Sequence, residues 1–380
     1  MPTLVPDQSL DYCLVSIEGV DAASFLQAQL CNDVKGLSHS AGPTNVSGGP
    51  TGPAQSQLSG YCNAKGRLYA TFLIWQPSPE VFHLLLQGSL APALVKRLSM
   101  FVLRAKVKLR QTHRLVYGVM GPVNPNDQTL ANQGFSLLEA NRPGLTETSA
   151  VTEGRYWLIG PDPETKGNTA IDTTHTSERA EASLLPTQET ACILPEGFIQ
   201  LSPAQWIEHE LRQGLPWFQA ELTERFVPQM VNLDLLGGVS FTKGCYPGQE
   251  VVARSHYLGK LNQRMFLFEG PAGLMPGSDV FLTTAAPSQP GHEQADTKVS
   301  EEAPIGEIIA SALCNSPGHL VTSGPEPSAL YLISLKLEPF RSQTKVAALR
   351  ASSGQPVQLT LQALPYEVPR EPQVPNRPKL

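Results

Sequence analysis

The stretch Lys243 to Glu250, reading Lys-Gly-Cys-Tyr-Pro-Gly-Gln-Glu, constrains the local fold more than any other part of the chain. Two glycines and a proline within eight residues forbid regular structure there, because glycine opens positive φ and proline removes a backbone donor. The segment must be a shaped loop. Upstream, Leu233, Leu235, Leu236, Val239 and Phe241 are apolar enough to pin it against a core, with Gly237-Gly238 marking a turn between them. Downstream, Glu250 and Arg254 suit the two poles of a short helix over residues 249–254. Cys245 precedes that helix start with Lys243 nearby, where a thiolate is stabilised. A free cysteine is more commonly a small buried hydrophobe, and the loop, Lys243 and the helix start set an exposed, reactive reading of Cys245 level with that one.

The rest of the chain supplies a scaffold. At 380 residues it exceeds what one hydrophobic core normally serves, so two or three packed units are expected. A formal net charge of −6 and the lack of a long basic run argue against a phosphate-backbone binder, and stable nucleic-acid binding is not expected. The nearest exception is the cluster Lys96, Arg97, Arg104, Lys106, Lys108 and Arg110, which reads as a solvated helix face followed by an edge strand. The first residues lack a basic region followed by an apolar stretch, and no apolar run reaches membrane-spanning length. A cytoplasmic protein with no membrane partner is the expectation. The six cysteines show no Cys-x-x-Cys pair and no Cys/His cluster at zinc spacing, so no metal site is assigned.

Taken in order, residues 12–18 alternate with Cys13, Val15 and Ile17 on one side, predicting a half-buried strand. Asp21 reads as the N-cap of a helix carrying Phe25, Leu26 and Leu30. Residues 41–59 are rich in Gly, Pro, Ser and Thr and read as a mobile loop. A hairpin turn at Asn63-Ala64-Lys65-Gly66 leads into a strand over 68–75, followed by a strand over 81–86. Leu90, Leu94, Leu98 and Phe101 recur at helical spacing, with Val102 closing that face, and strands follow over 105–109 and 115–119. A second polar insertion covers 161–183. Ser202-Pro203-Ala204-Gln205 is a capping box that starts a helix running to Gln213, with Trp206 in its first turn, placed to face a cleft. After Gly259 short strands alternate with turns over 263–268, 279–282, 305–312, 329–337, 345–350 and 357–363, predicting a small β-barrel with a polar insertion near 285–303. The Pro-rich tail from 365 to 380 reads as an extended strap or disordered. The fold class is α+β: residues 1–258 form one unit of two α/β halves, and 259–364 the barrel.

Lys-Gly-Cys-Tyr-x-Gly-Gln-Glu followed by Val-Ala-Arg, with Asn-Leu and Gly-Gly-Val-Ser-Phe ahead of it, resembles the signature of the YgfZ folate-binding proteins. These belong to the wider superfamily of the glycine-cleavage aminomethyltransferase (T-protein). The opening strand, its Gly-x-Asp-Ala turn and the Phe-Leu-Gln helix resemble the same family, and the likeness spans most of the chain outside the three polar insertions and the tail.

The resemblance implies an aminomethyltransferase-like folate-binding unit and a reactive thiol at Cys245, available for redox chemistry or transient iron ligation. It places Tyr12 and Trp206 on folate-contacting tryptophan positions. A reduced pterin needs an aromatic slot with a few polar groups, and its glutamate tail needs cations. Arg254 and Lys243 suit the tail, and Gln249 or Glu250 the pterin's donors and acceptors; Glu250 equally suits the positive pole of the helix. The implied function is a tetrahydrofolate-binding accessory protein supporting iron–sulfur cluster assembly or repair in client enzymes, including enzymes that modify tRNA. The alternative is a folate-dependent aminomethyl or one-carbon transferase. Where true aminomethyltransferases carry an acidic pair, this chain reads Arg67-Leu68-Tyr69-Ala70-Thr71, with no carboxylate to move a proton.

Overall fold

A computed structural model describes residues 4–37, 56–122, 129–140, 154–162, 192–257, 261–284, 298–299, 304–313, 327–340, 345–349 and 356–371. The first sheet is antiparallel and is built from β1 (Tyr12–Glu18), β2 (Gln57–Cys62), β3 (Leu68–Ser78), β4 (Val81–Gln87) and β5 (Lys108–Thr112), in the order β2-β3-β4-β1-β5. Helices α1 (Ala22–Gln29) and α2 (Ala91–Ser99) accompany it. The second antiparallel sheet contains β6 (Val116–Gly121), β7 (Ser136–Glu139), β8 (Gly154–Ile159) and β9 (Ile199–Leu201), in the order β7-β8-β6-β9, with the short α3 (Thr129–Asn132) before β7. Helix α4 (Pro203–Arg212) follows β9, and α5 (Gln249–Tyr257) follows the Cys245 loop.

The remaining strands are β10 (Gln263–Pro271), β11 (Asp279–Thr284), β12 (Lys298–Val299), β13 (Gly306–Leu313), β14 (Ser328–Lys336), β15 (Lys345–Leu349) and β16 (Pro356–Gln362), with α6 (Leu337–Phe340) after β14. They pair in the order β12-β11-β13-β14-β10-β16-β15, and a further β11–β15 pairing joins six of them into a ring. Closure removes the exposed strand edges that an open sheet must protect.

Several local expectations hold for local reasons. Ser202 accepts from the Gln205 backbone N–H at 3.3 Å while Gln205 Oε1 accepts from Ser202 N–H at 3.0 Å, so the capping box forms and Pro203 opens the helix without losing a bond. Asn63 Oδ1 accepts from the backbone of Lys65 and Arg67 at 2.9 and 3.0 Å, which closes the β2–β3 turn. β5 lies at the edge of its sheet just after the basic last turn of α2, as the charge pattern suggested.

Other expectations need correction. β1 is buried on both faces rather than one: Tyr12 to Ile17 are all buried, and α2 packs against the strand. Asp21 does not cap α1 with its side chain; its carboxylate accepts from Lys106 N–H at 2.8 Å and ties α1 to the chain entering β5. The insertion assigned to 41–59 ends earlier, since residues 57–59 belong to β2. The one assigned from 161 begins later: Asp162 is buried and accepts from Arg110 at 2.8 Å. Most of both stretches lies outside the described residues, as does most of 285–303 and the tail beyond residue 371. Phe101 falls past the end of α2 and is 40% exposed, so the helical face closes at Leu98.

Several side chains join the ring of strands to the earlier elements, and one of them belongs to a left-handed residue. Asn232, at φ 57°, donates to the Met265 carbonyl at 2.7 Å and accepts from Met265 N–H at 3.2 Å, imitating a strand partner for β10. Next to it Arg264 meets Asp234 through two bonds of 2.6 and 2.9 Å, both side chains being buried. Farther on, Tyr366 donates to the Gly214 carbonyl at 3.2 Å, so the segment after β16 runs back over the end of α4.

Candidate functional site

The expected site residues fall into two groups. Tyr12 and Trp206 form one with Trp157 and Trp217. Trp206, in the first turn of α4, lies over Gly118 of β6, where a methyl would fall 2.1 Å from the indole; only glycine admits the ring. Gly118 pairs with Trp157 across β6 and β8, so the two indoles meet edge to face with centroids 4.6 Å apart. Tyr12, at the start of β1, packs edge-on to Trp157 at 4.8 Å and to Trp217 at 5.1 Å. Each such pair contributes about 0.5–1.5 kcal/mol beyond its buried area. Trp206 is 0% exposed and Tyr12 8%, so Trp206 faces this cluster and not an open cleft.

Two charged residues enter the cluster that sequence reasoning missed. Arg155 is two residues before Trp157 on β8 and therefore on the same face; Glu210 is one helical turn after Trp206 on α4. Arg155 Nη1 donates to Glu210 Oε1 at 3.3 Å, Trp217 Nε1 donates to Glu210 Oε2 at 2.8 Å, and the guanidinium lies 5.5 Å from the Trp206 ring centroid. Burial, reinforced by the Glu210 charge, raises the Tyr12 phenol well above its ordinary range, so its proton stays on. The signal was present in the sequence: an arginine at strand period from a tryptophan, and a glutamate at helical period from another, each out of place on an apolar face.

Lys243, Cys245, Gln249, Glu250 and Arg254 form the second group, on the loop and α5. Cys245 is exposed, whereas Cys13, Cys31, Cys62 and Cys192 are buried; Cys314 lies outside the described residues. Glu250 and Arg254 are exposed and Gln249 is half-buried. Lys243 turns inward. Its ammonium donates to the carbonyls of Gln27 at 2.6 Å and Asn32 at 3.2 Å and to that of Leu30, closing the C-terminal end of α1. Burial lowers its pKa to about 8, against the opposing pull of Cys31 and Asp33, and the ammonium sits 5.1 Å from the Tyr246 ring centroid. Among the described residues no hydrogen bond or ring contact joins this group to Tyr12 or Trp206.

Two glycines and an asparagine fix the loop. A methyl on Gly248, at φ 80°, would lie 2.3 Å from the Asn63 carbonyl oxygen and 2.5 Å from the Gly66 Cα, so loop and hairpin turn touch backbone to backbone. Asn32 donates to the carbonyls of Leu58 and Gly237, both at 2.8 Å, holding the approach to the loop from the other side. The thiol of Cys245 is thus presented by a backbone clamped at both ends.

No family model matches the chain. It is 29% identical over 272 residues to the tRNA-modifying protein YgfZ of Edwardsiella ictaluri (strain 93-146), covering 70% of this chain and 71% of that protein. The YgfZ resemblance holds. The fold is also similar to that of the glycine cleavage system aminomethyltransferase T from Bartonella henselae, with a TM-score of 0.52 over 94% of this chain and 84% of that one, at 13% identity. The YgfZ likeness and the T-protein fold therefore coincide in one chain of mixed α/β structure with several antiparallel sheets.

Proposed function

We propose that this chain binds a reduced folate, with the pterin ring at the Tyr12–Trp157–Trp206–Trp217 cluster. We also propose that it acts as a YgfZ-type accessory protein for iron–sulfur enzymes, including enzymes that modify tRNA, through the thiol of Cys245. The observation that carries the reading is that Cys245 alone among the described cysteines reaches solvent, on a loop whose backbone is clamped against the hairpin turn at Gly66. A thiol needed only for packing has no reason to be held outside. The relative's name describes that protein as tRNA-modifying. Lys243 contributes by fixing the loop to the end of α1, and Arg254, Gln249 and Glu250 stand exposed or half-buried on α5 for a folate tail or a partner.

An accessory role fits better than one-carbon transfer. Residues 67–71 offer no carboxylate as proton carrier, and Arg67 and Thr71 serve the scaffold: Arg67 donates to the Arg225 carbonyl, and the Thr71 hydroxyl donates to the Pro216 carbonyl and accepts from Phe218 N–H. No helix of the described residues is long and apolar enough to cross a membrane, and a cytoplasmic site of action completes the proposal.

The test has two arms. Tetrahydrofolate is titrated while tryptophan fluorescence is followed, and Cys245→Ala is assayed for restoring iron–sulfur enzyme activity in a strain lacking the protein. Saturable quenching together with failed rescue by Cys245→Ala supports the reading. Full rescue by that variant removes the thiol from the mechanism, and absence of quenching removes the folate.

A further inference from the structure

Two hydrogen-bond donors inside the aromatic cluster have no acceptor among the described residues: the indole Nε1 of Trp206 and Nη2 of Arg155. Their residues are 0% and 4% exposed, so solvent does not reach them. Native interiors pair nearly all such groups, and an unpaired charged donor is the costliest of them to leave alone. Glu210 takes Arg155 Nη1 and Trp217 Nε1 but neither of the two idle donors, which stay unpaired beside it. The two idle donors belong to neighbours, since the guanidinium lies over the Trp206 ring. Neither group can accept a hydrogen bond in return, so together they specify an oxygen acceptor that the described residues do not provide.

We infer that Arg155 and Trp206 are specificity-determining residues of the folate site, donating jointly to the 4-oxo oxygen of the pterin ring. The inference rests on the folate reading above and adds to it which edge of the ring is read. The 4-oxo oxygen is the one carbonyl of a pterin ring and has two lone pairs for two donors. Tyr12 is the least buried of the four rings and is the one displaced when a ligand reaches the donors. A 4-amino ring brings N–H groups against the same two donors, and a site built to donate rejects it.

Folate and aminopterin differ at this position, oxygen in one and an amino group in the other, and they form the probe pair, with tetrahydrofolate as the reference ligand. The full-length protein is expected to bind folate at least ~10-fold more tightly than aminopterin. Trp206→Phe keeps the ring and deletes the N–H; it is expected to bring the ratio toward about one while circular dichroism and melting stay near wild type. Arg155→Lys, which keeps the charge opposite Glu210 and removes the guanidinium fork, is the second variant and is expected to do the same. Equal or tighter aminopterin binding by the wild type overturns the inference, as does a ratio that neither variant changes. A wild type that binds folate and tetrahydrofolate not at all overturns the folate reading itself, a result separable from the other two by the tetrahydrofolate arm.

Discussion

Gly66 and Gly248 meet backbone to backbone, and the space between them admits no side chain: a methyl on Gly248 would fall 2.5 Å from both the Cα and the nitrogen of Gly66. The atoms in the way are backbone, so they cannot swing aside, and φ at Gly248 is 80°, where a side chain is strained on its own account. Gly248→Ala is therefore expected to cost about 2 kcal/mol or more, summing a left-handed residue and an overlap. Urea denaturation followed by fluorescence measures it. A change below about 0.5 kcal/mol, the range of neutral surface substitutions, shows that the loop does not depend on this contact.

Lys243 combines two demands, a charge kept from water and three carbonyls that require a donor. Lys243→Met preserves the stem and leaves the end of α1 without its donors, so a loss of about 2–3 kcal/mol is expected. Limited proteolysis of the native protein is expected to cut faster between residues 30 and 37. Unchanged cleavage there, with unchanged stability, shows that the ammonium does not hold the helix end.

Stability is also expected to depend on acid through two half-buried histidines. Burial first, and then Arg114 and Arg110, lowers His83 from 6.5 to about 3; burial and Arg155 lower His209 to about 4. As the pH falls from 6.5 toward 4, the unfolded chain takes up protons that the folded chain refuses, so the unfolded state is favoured and stability is lost. Glu307, lifted to about 7 chiefly by burial, works in the opposite direction between 4.5 and 7, because there the folded state holds the extra proton. Comparing wild type with His83→Gln isolates the first effect. The variant's denaturation midpoint is expected to fall less between pH 7 and pH 4.5, and parallel profiles rule His83 out as a contributor.

What could be read from the residue order was whatever closes over a few positions. Ser202 and Gln205 are three apart and settle their capping box between themselves; Asn63 binds the backbone of its own turn. The same holds for the strands of the ring, whose alternation and turns are local. The inward turn of Lys243 was hidden because its carbonyl partners lie more than two hundred positions earlier. The sealing of Trp206 was hidden too, because it depends on a missing side chain at Gly118 on another strand. β1 looked half-buried because its alternation was visible, whereas the packing of α2 against it was not. Arg155 and Glu210 were overlooked individually because a lone charge in a strand or helix normally points to water, and only their meeting gives either a reason to be inside.

The bond from Tyr366 to the Gly214 carbonyl has a consequence for how the molecule comes apart. The same hydroxyl lies 3.4 Å from Asn232 Nδ2, on the residue that holds β10. Peeling away the segment after β16 therefore uncovers the end of α4 and strips Asn232 of a partner in one event.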